Sequence, residues 1–190
     1  MCFLVRVIAG TYKGQRLVAP KGAARPTLDR VREALFSLLG QIEGARVLDL
    51  YAGSGALGIE ALSRGAAEAT FVDSDQAAVR TVRQNLSRLG IDHARVTRSG
   101  VGPFLKNAAR RGQRWDLAFC DPPYRLAHRL GRDLATLLPP VLVDEAKIVC
   151  ESSPRQPLKL EFPLLTERRY GDTLICIYRR PAGGGGADDA

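Results

Sequence analysis

From residue 46 to residue 151 the chain alternates short apolar runs with helical stretches, and nothing else in the sequence narrows its fold as far. Strands are predicted over 46–50, 68–72, 94–98, 116–120 and 147–151, with helices over 56–64, 75–89, 103–111 and 125–138 between them. In the second helix Val79, Val82, Leu86 and Leu89 step by three and four, the spacing of one buried face. Such alternation demands a parallel sheet covered by helices on both sides. Two further strands, 164–170 and 173–179, are joined by Gly171-Asp172, a hairpin signal. Ahead of the alternation, 6–10 and 15–19 read as short strands around Thr11-Tyr12-Lys13-Gly14. A helix over 29–39 follows, with Thr27 or Asp29 as cap. Val31, Leu35, Leu38 and Leu39 share one face of it, which places Arg30 and Arg32 off that face.

The first strand of the alternation, ending at Asp49-Leu50, runs into Tyr51-Ala52-Gly53-Ser54-Gly55-Ala56-Leu57-Gly58. Gly53, Gly55 and Gly58 satisfy G-x-G-x-x-G, which lets backbone turn sharply and approach a ligand closely. Asp73 ends the next strand about twenty residues on, where a carboxylate can take both hydroxyls of a ribose. The expectation is an α/β, Rossmann-like, doubly wound seven-stranded and mostly parallel sheet. It carries a C-terminal antiparallel hairpin and is preceded by a small N-terminal β-hairpin and helix. Residues 1–40 form the N-terminal extension, 41–181 the main domain, and 182–190 a glycine-rich disordered tail.

The glycine pattern alone fits a dinucleotide as well as S-adenosylmethionine. Asp49 separates them. A buried carboxylate needs a partner; an ammonium supplies one, and a pyrophosphate would be repelled. An Asp that only caps the turn is the plain alternative. The fourth strand then ends in Asp121-Pro122-Pro123-Tyr124. Proline cannot donate to a ladder, so the sheet stops there and the turn is stiff. The Asp121 carboxylate and the Pro122 carbonyl are both acceptors, suited to an exocyclic amino group, and Tyr124 offers a face for stacking. An ordinary proline turn with a surface Tyr would leave the same four residues. In a doubly wound sheet, the carboxyl ends of neighbouring strands share one crevice, so the glycine loop and this turn are expected to face each other.

The formal charge is +8, and all basic residues but Lys13, Lys21, Lys106, Lys147 and Lys159 are arginine. Arginine binds phosphate bidentately and stacks on bases, which points to a polyanion partner. Cys2, Cys120, Cys150 and Cys176 are isolated and read as thiols of a reducing compartment. With His93 and His128 the only histidines, no metal site is expected. No apolar run approaches the ~20 residues that span a bilayer, and the start lacks a signal-peptide cleavage site. A cytoplasmic protein with no membrane partner is the expectation.

Asp49–Gly58, Asp73 and Asp121–Tyr124 resemble the signature positions of class I S-adenosylmethionine-dependent methyltransferases that act on amino nitrogen. The segments Arg6-Val7-Ile8-Ala9-Gly10, Gly14-Gln15-Arg16-Leu17, Arg25-Pro26-Thr27-Leu28-Asp29-Arg30-Val31-Arg32-Glu33 and Tyr170-Gly171-Asp172-Thr173 are similar to the RsmD-type 16S ribosomal RNA guanine-N2 methyltransferases. The likeness covers about residues 5–180. It implies a cofactor site of Asp49, Ala52, Gly53, Gly55, Gly58, Asp73, Ser74, Gly100, Val101 and Asp121. Asp121, Pro122 and Tyr124 would be the catalytic turn. Arg6, Lys13, Arg16, Arg25, Thr27, Arg30 and Arg32 would form the RNA surface, and some of these cations are expected to pair with acids such as Glu33 or Glu43. The implied substrate is 16S ribosomal RNA in an assembled small subunit, met by a monomer. One position departs from the pattern: where the family usually has Asp or Asn for the adenine amino group, this chain has Gly100. Adenine is then expected to be held by apolar packing and by the Val101 N–H, with Ser99 as a substitute. A DNA adenine-N6 methyltransferase and a non-catalytic RNA-binding factor on the same scaffold remain the competing readings. No segment is long enough for a DNA-recognition insertion, and the intact acids argue for a live site.

Overall fold

The computed structural model describes residues 5–19, 29–123 and 127–182. Two short strands, β1 (Val5–Arg6) and β2 (Arg16–Leu17), pair antiparallel and are followed by α1 (Asp29–Leu39). The alternation then runs β3 (Arg46–Leu50), α2 (Ala56–Ser63), β4 (Glu68–Asp73), α3 (Gln76–Leu89), β5 (Ala94–Arg98), α4 (Val101–Arg110), β6 (Trp115–Cys120), α5 (Ala127–Leu137) and β7 (Leu142–Ser152). The hairpin β8 (Leu164–Tyr170) and β9 (Thr173–Arg179) completes one seven-stranded sheet in the order β5-β4-β3-β6-β7-β9-β8. β3 to β7 are mutually parallel, and β9 is antiparallel to both β7 and β8. The chain reverses direction across the sheet between β3 and β6, so these neighbours flank the switch point where open α/β sheets bind ligands.

Alternate residues of each central strand enter opposite cores, as a two-sided sheet requires. Val47, Phe71 and Phe119 pack with α1, α2 and α3, whereas Leu48, Val72 and Ala118 pack with α4 and α5. Trp115 is buried in the second core beside Phe104.

The N-terminal strands are shorter than the 6–10 and 15–19 expected, since only Val5–Arg6 and Arg16–Leu17 pair, and three further readings need correction. Arg32 lies on the buried face of α1, only 1% exposed, while Leu38 is 37% exposed. The helix docks through Phe36, whose ring meets Phe119 at 5.8 Å, and this turns position 32 inward and 38 outward. Arg32 tolerates burial because its guanidinium donates to the Arg6 carbonyl and to Asp29. β7 starts at Leu142 rather than 147, because a bulge between Trp115 and Leu117 shifts its register and puts Glu145 at φ 64°. α4 starts at Val101 rather than 103; Pro103 sits in the first turn, where an amide hydrogen has no helical partner to lose.

The N-terminal extension is pinned to the main domain mostly through side chains on α2. The Glu60 carboxylate, fully buried, accepts the amides of Ile8 at 2.7 Å and Ala9 at 3.0 Å and pairs with Arg64. Ser63 Oγ accepts from the Tyr12 amide at 2.9 Å, and the Ser63 carbonyl takes the Thr11 amide at 2.8 Å. Gly10 has φ 81°, and a Cβ on it would lie 1.6 Å from the Ser63 carbonyl oxygen, so only glycine fits there.

Candidate active site

The first half of the site is the turn between β3 and α2. Asp49 points off β3 into this turn and is 2% exposed. Its Oδ2 accepts the Gly58 amide at 2.9 Å, which fixes the carboxylate against the start of α2. Burial pushes its carboxyl up to about 7; the Gly58 hydrogen bond opposes the rise and the Asp73 charge adds to it. A Cβ on Gly58 would lie 2.3 Å from the Phe71 ring and 3.0 Å from Asp49 Oδ2, so that glycine keeps the helix start on the strand. Tyr51, Gly53 and Gly55 all take positive φ, the sharp turn that the glycine spacing predicts. Ala52 is buried at its base.

Asp73, at the end of β4, reaches across to the same turn. Its Oδ2 accepts the Gly53 amide at 2.9 Å and its Oδ1 accepts the Asp75 amide at 2.9 Å. One lone pair on each oxygen stays available for a hydroxyl. Ser74, next in the chain, is exposed, and Asp75 caps α3 by accepting the Ala77 amide. The Ser99 hydroxyl donates to the Gly100 carbonyl at 2.9 Å, so it is turned toward its own backbone. Val101 is buried and opens α4, where amide hydrogens point out of the helix end.

The second half follows β6. Leu50 and Cys120 are opposite one another on β3 and β6, so the glycine loop and the Asp121-Pro122-Pro123 turn leave the sheet side by side. Pro122 is buried, Pro123 exposed and Asp121 half-buried. Asp121 is pushed well up by burial and by the nearby charges of Glu151 and Asp49. Tyr124 lies outside the described residues.

Glu151 carries no motif and went unread in the sequence. Cys150 of β7 is opposite Cys120, so Glu151, near the end of β7, lies beside Asp121, and it is 5% exposed. Its charge, with those of Asp29 and Glu60, also favours the charged form of Arg32, although burial is the larger effect and lowers that group. Asp49, Asp73, Asp121 and Glu151 thus line the carboxyl ends of four adjacent strands. This anionic rim, with the glycine turn and its backbone amides beside it, fits a cationic adenosyl ligand and disfavours a pyrophosphate.

The proposed RNA surface is less uniform. Lys13, Arg16 and Arg30 are exposed. Arg6 is exposed too but pairs with Asp29 at 2.7 Å rather than with Glu33 or Glu43. Arg32 is a correction here as well: buried and bonded to the Arg6 carbonyl, it presents no guanidinium to a surface. Arg25 and Thr27 lie outside the described residues. Among the described residues, no group of three or more His, Cys, Asp or Glu side chains can hold a metal, and no helix is long and apolar enough to cross a membrane.

The model of the family described as Conserved hypothetical protein 95 matches residues 5–179. The chain belongs to that family. It is 39% identical over 187 residues to the ribosomal RNA small subunit methyltransferase D of Escherichia coli K12, a match covering 95% of this chain and 92% of that one. The solved structure of YhhF from Escherichia coli superposes with a TM-score of 0.80 at 38% identity, covering 95% of this chain and 99% of that one. An RNA methyltransferase from Salinibacter ruber, solved with S-adenosyl-L-homocysteine, shares the fold at a TM-score of 0.65 and 15% identity, with 87% and 100% of the two chains covered.

Proposed function

We propose that this family member is an S-adenosylmethionine-dependent ribosomal RNA methyltransferase, and that it methylates the exocyclic N2 of a guanine in the small-subunit RNA. The observation that carries the reading is the side-by-side exit of the glycine loop, with Asp49, and the Asp121-Pro122 turn from β3 and β6. The name and the extent of the Escherichia coli relative support ribosomal RNA as the substrate class. The bound cofactor supplies an electrophilic methyl on a sulfonium.

The residues then divide the work. Asp49 holds the ammonium end, Asp73 the ribose hydroxyls, and the Val101 amide the adenine edge. The guanine amino nitrogen is a poor nucleophile because its lone pair is delocalised into the ring. The Asp121 carboxylate and the Pro122 carbonyl accept its two hydrogens and aim it at the methyl carbon. Such positioning is worth up to ~7–11 kcal/mol. Nitrogen attacks as the carbon–sulfur bond breaks, sulfur keeps the electron pair, and the acceptors stabilise the positive charge growing on nitrogen. The proton leaves to Asp121 or water.

The test is transfer of labelled methyl from the cofactor to small subunits lacking the modification, followed by mapping of the labelled base. Label on guanine N2 is expected. Label on adenine, label only in DNA, or no transfer would overturn the assignment.

A further inference from the structure

Asn85 on α3 is 1% exposed and makes three hydrogen bonds. Its Oδ1 accepts the Val18 amide at 2.8 Å, and its Nδ2 donates to the Val18 carbonyl at 2.9 Å and to the Ser54 carbonyl at 2.9 Å. Those two donations use both hydrogens that the amide nitrogen offers. The orientation is fixed by chemistry, since the flipped amide would set a donor against the Val18 N–H and an acceptor against carbonyls.

The two segments it joins do different things. Ser54 lies between Gly53 and Gly55 in the turn that cradles the cofactor. Val18 directly follows β2, whose Arg16 is exposed on the basic extension. The Glu60 and Ser63 contacts fasten the extension to α2 but bond no atom of residues 51–55. Among the hydrogen bonds of the described residues, Asn85 links the extension and the glycine turn through one rigid group.

We propose that Asn85 is a positioning residue that couples the seating of the N-terminal extension to the shape of the cofactor loop. Holding Val18 aims one amide hydrogen at Ser54; releasing Val18 lets the amide swing and the loop relax. The inference rests on the reading of residues 49–58 as the cofactor site.

The experiment measures S-adenosylhomocysteine affinity of the full chain by calorimetry, without RNA, for Asn85→Ala, Val18→Pro and the double variant, with thermal melts to establish folding. Val18→Pro removes the amide that orients Asn85 and touches nothing in the loop. Loss of a buried hydrogen bond of this kind corresponds to a change of roughly five- to fiftyfold in affinity. Weaker binding in both single variants is expected, with the double variant no weaker than Asn85→Ala alone, because the two changes break one linkage. A Val18→Pro protein that melts cooperatively and binds within twofold of wild type overturns the coupling, as do additive effects. Asp49→Asn, which preserves the volume and the acceptor for the Gly58 amide, keeps the two failures apart. If it binds with wild-type affinity, residues 49–58 are not the cofactor site and the underlying reading fails; if it does not bind, only the coupling is in question.

Discussion

Replacing Asp49 by asparagine tests whether this carboxylate is kept at a cost to stability for the sake of a ligand. The side chain is 2% exposed, and burial raises its carboxyl from 3.8 to about 7. The folded state therefore holds the proton more tightly than the unfolded chain. Asp49 is harmless below about pH 4, destabilises progressively as pH rises toward 7, and levels off above it. At about 1.4 kcal/mol per pH unit, its full cost is about 4 kcal/mol, of which about 3 kcal/mol accrues between pH 5 and pH 7. The amide side chain preserves the acceptor for the Gly58 N–H and the volume, and it does not titrate. Without cofactor, the Asp49→Asn variant should melt higher than wild type by an increment that grows between pH 5 and pH 8 by about 6–12 °C, at roughly 2–4 °C per kcal/mol for a chain of this size. The same variant should lose cofactor affinity, since the ammonium loses its partner. In wild type, affinity for S-adenosylhomocysteine should fall up to about tenfold per pH unit below 7, as a proton competes for Asp49. Differential scanning calorimetry and titration calorimetry across this range provide both readouts. A melting increment equal at pH 5 and pH 8, or unchanged cofactor affinity in the Asp49→Asn variant, refutes the reasoning.

Four further outcomes are expected. Asp121→Asn should lower kcat by about a hundredfold or more while cofactor affinity stays within about twofold, because the lost acceptor matters in the transition state; single-turnover kinetics beside calorimetry separate the two. Glu151→Gln removes a charge that holds Asp121 up, so the acid limb of the kcat profile should move to lower pH; a limb that stays put or moves up disproves the coupling. Gly10→Ala forces a Cβ into the Ser63 carbonyl at positive φ and should cost about 2–4 kcal/mol in urea unfolding. A Cβ on Gly100 would meet only Pro103, at 3.5 Å, so the backbone accepts a side chain there and Gly100→Asp should tighten cofactor binding; equal or weaker affinity would show that the adenine is bound another way.

Strand–helix alternation was legible because the two periods differ and because glycine and proline have fixed positional meanings. β3, β5, β8, β9 and α1 start and end where the pattern puts them. The glycine turn and the Asp-Pro-Pro turn were legible for the same reason. Arg32, Glu60, Asn85 and Glu151 were not. Three of the four form hydrogen bonds with backbone atoms of segments distant in sequence, such as Arg6 for Arg32 and Val18 for Asn85, and a linear pattern holds no trace of such a partner. Helical spacing also assigns charged residues to the solvent face by default, which is how Arg32 and Leu38 exchanged places.

That exchange changes how the charge is arranged. The chain is +8 overall, yet four carboxylates line the end of the sheet where chemistry is proposed. Arg32 belongs to this buried anionic system, near Glu151 and Glu60, and not to the basic surface. Exposed Lys13, Arg16 and Arg30 stand on the extension and α1, and not on the strands that carry the four carboxylates. A polyanion is thereby attracted to the front and repelled from the crevice, where a sulfonium and an uncharged base are favoured. Under the proposed reading, phosphates stay at the basic front and only a flipped-out nucleobase enters the crevice. The division of charge then selects for a base presented away from its backbone, before any contact to the base edge is made.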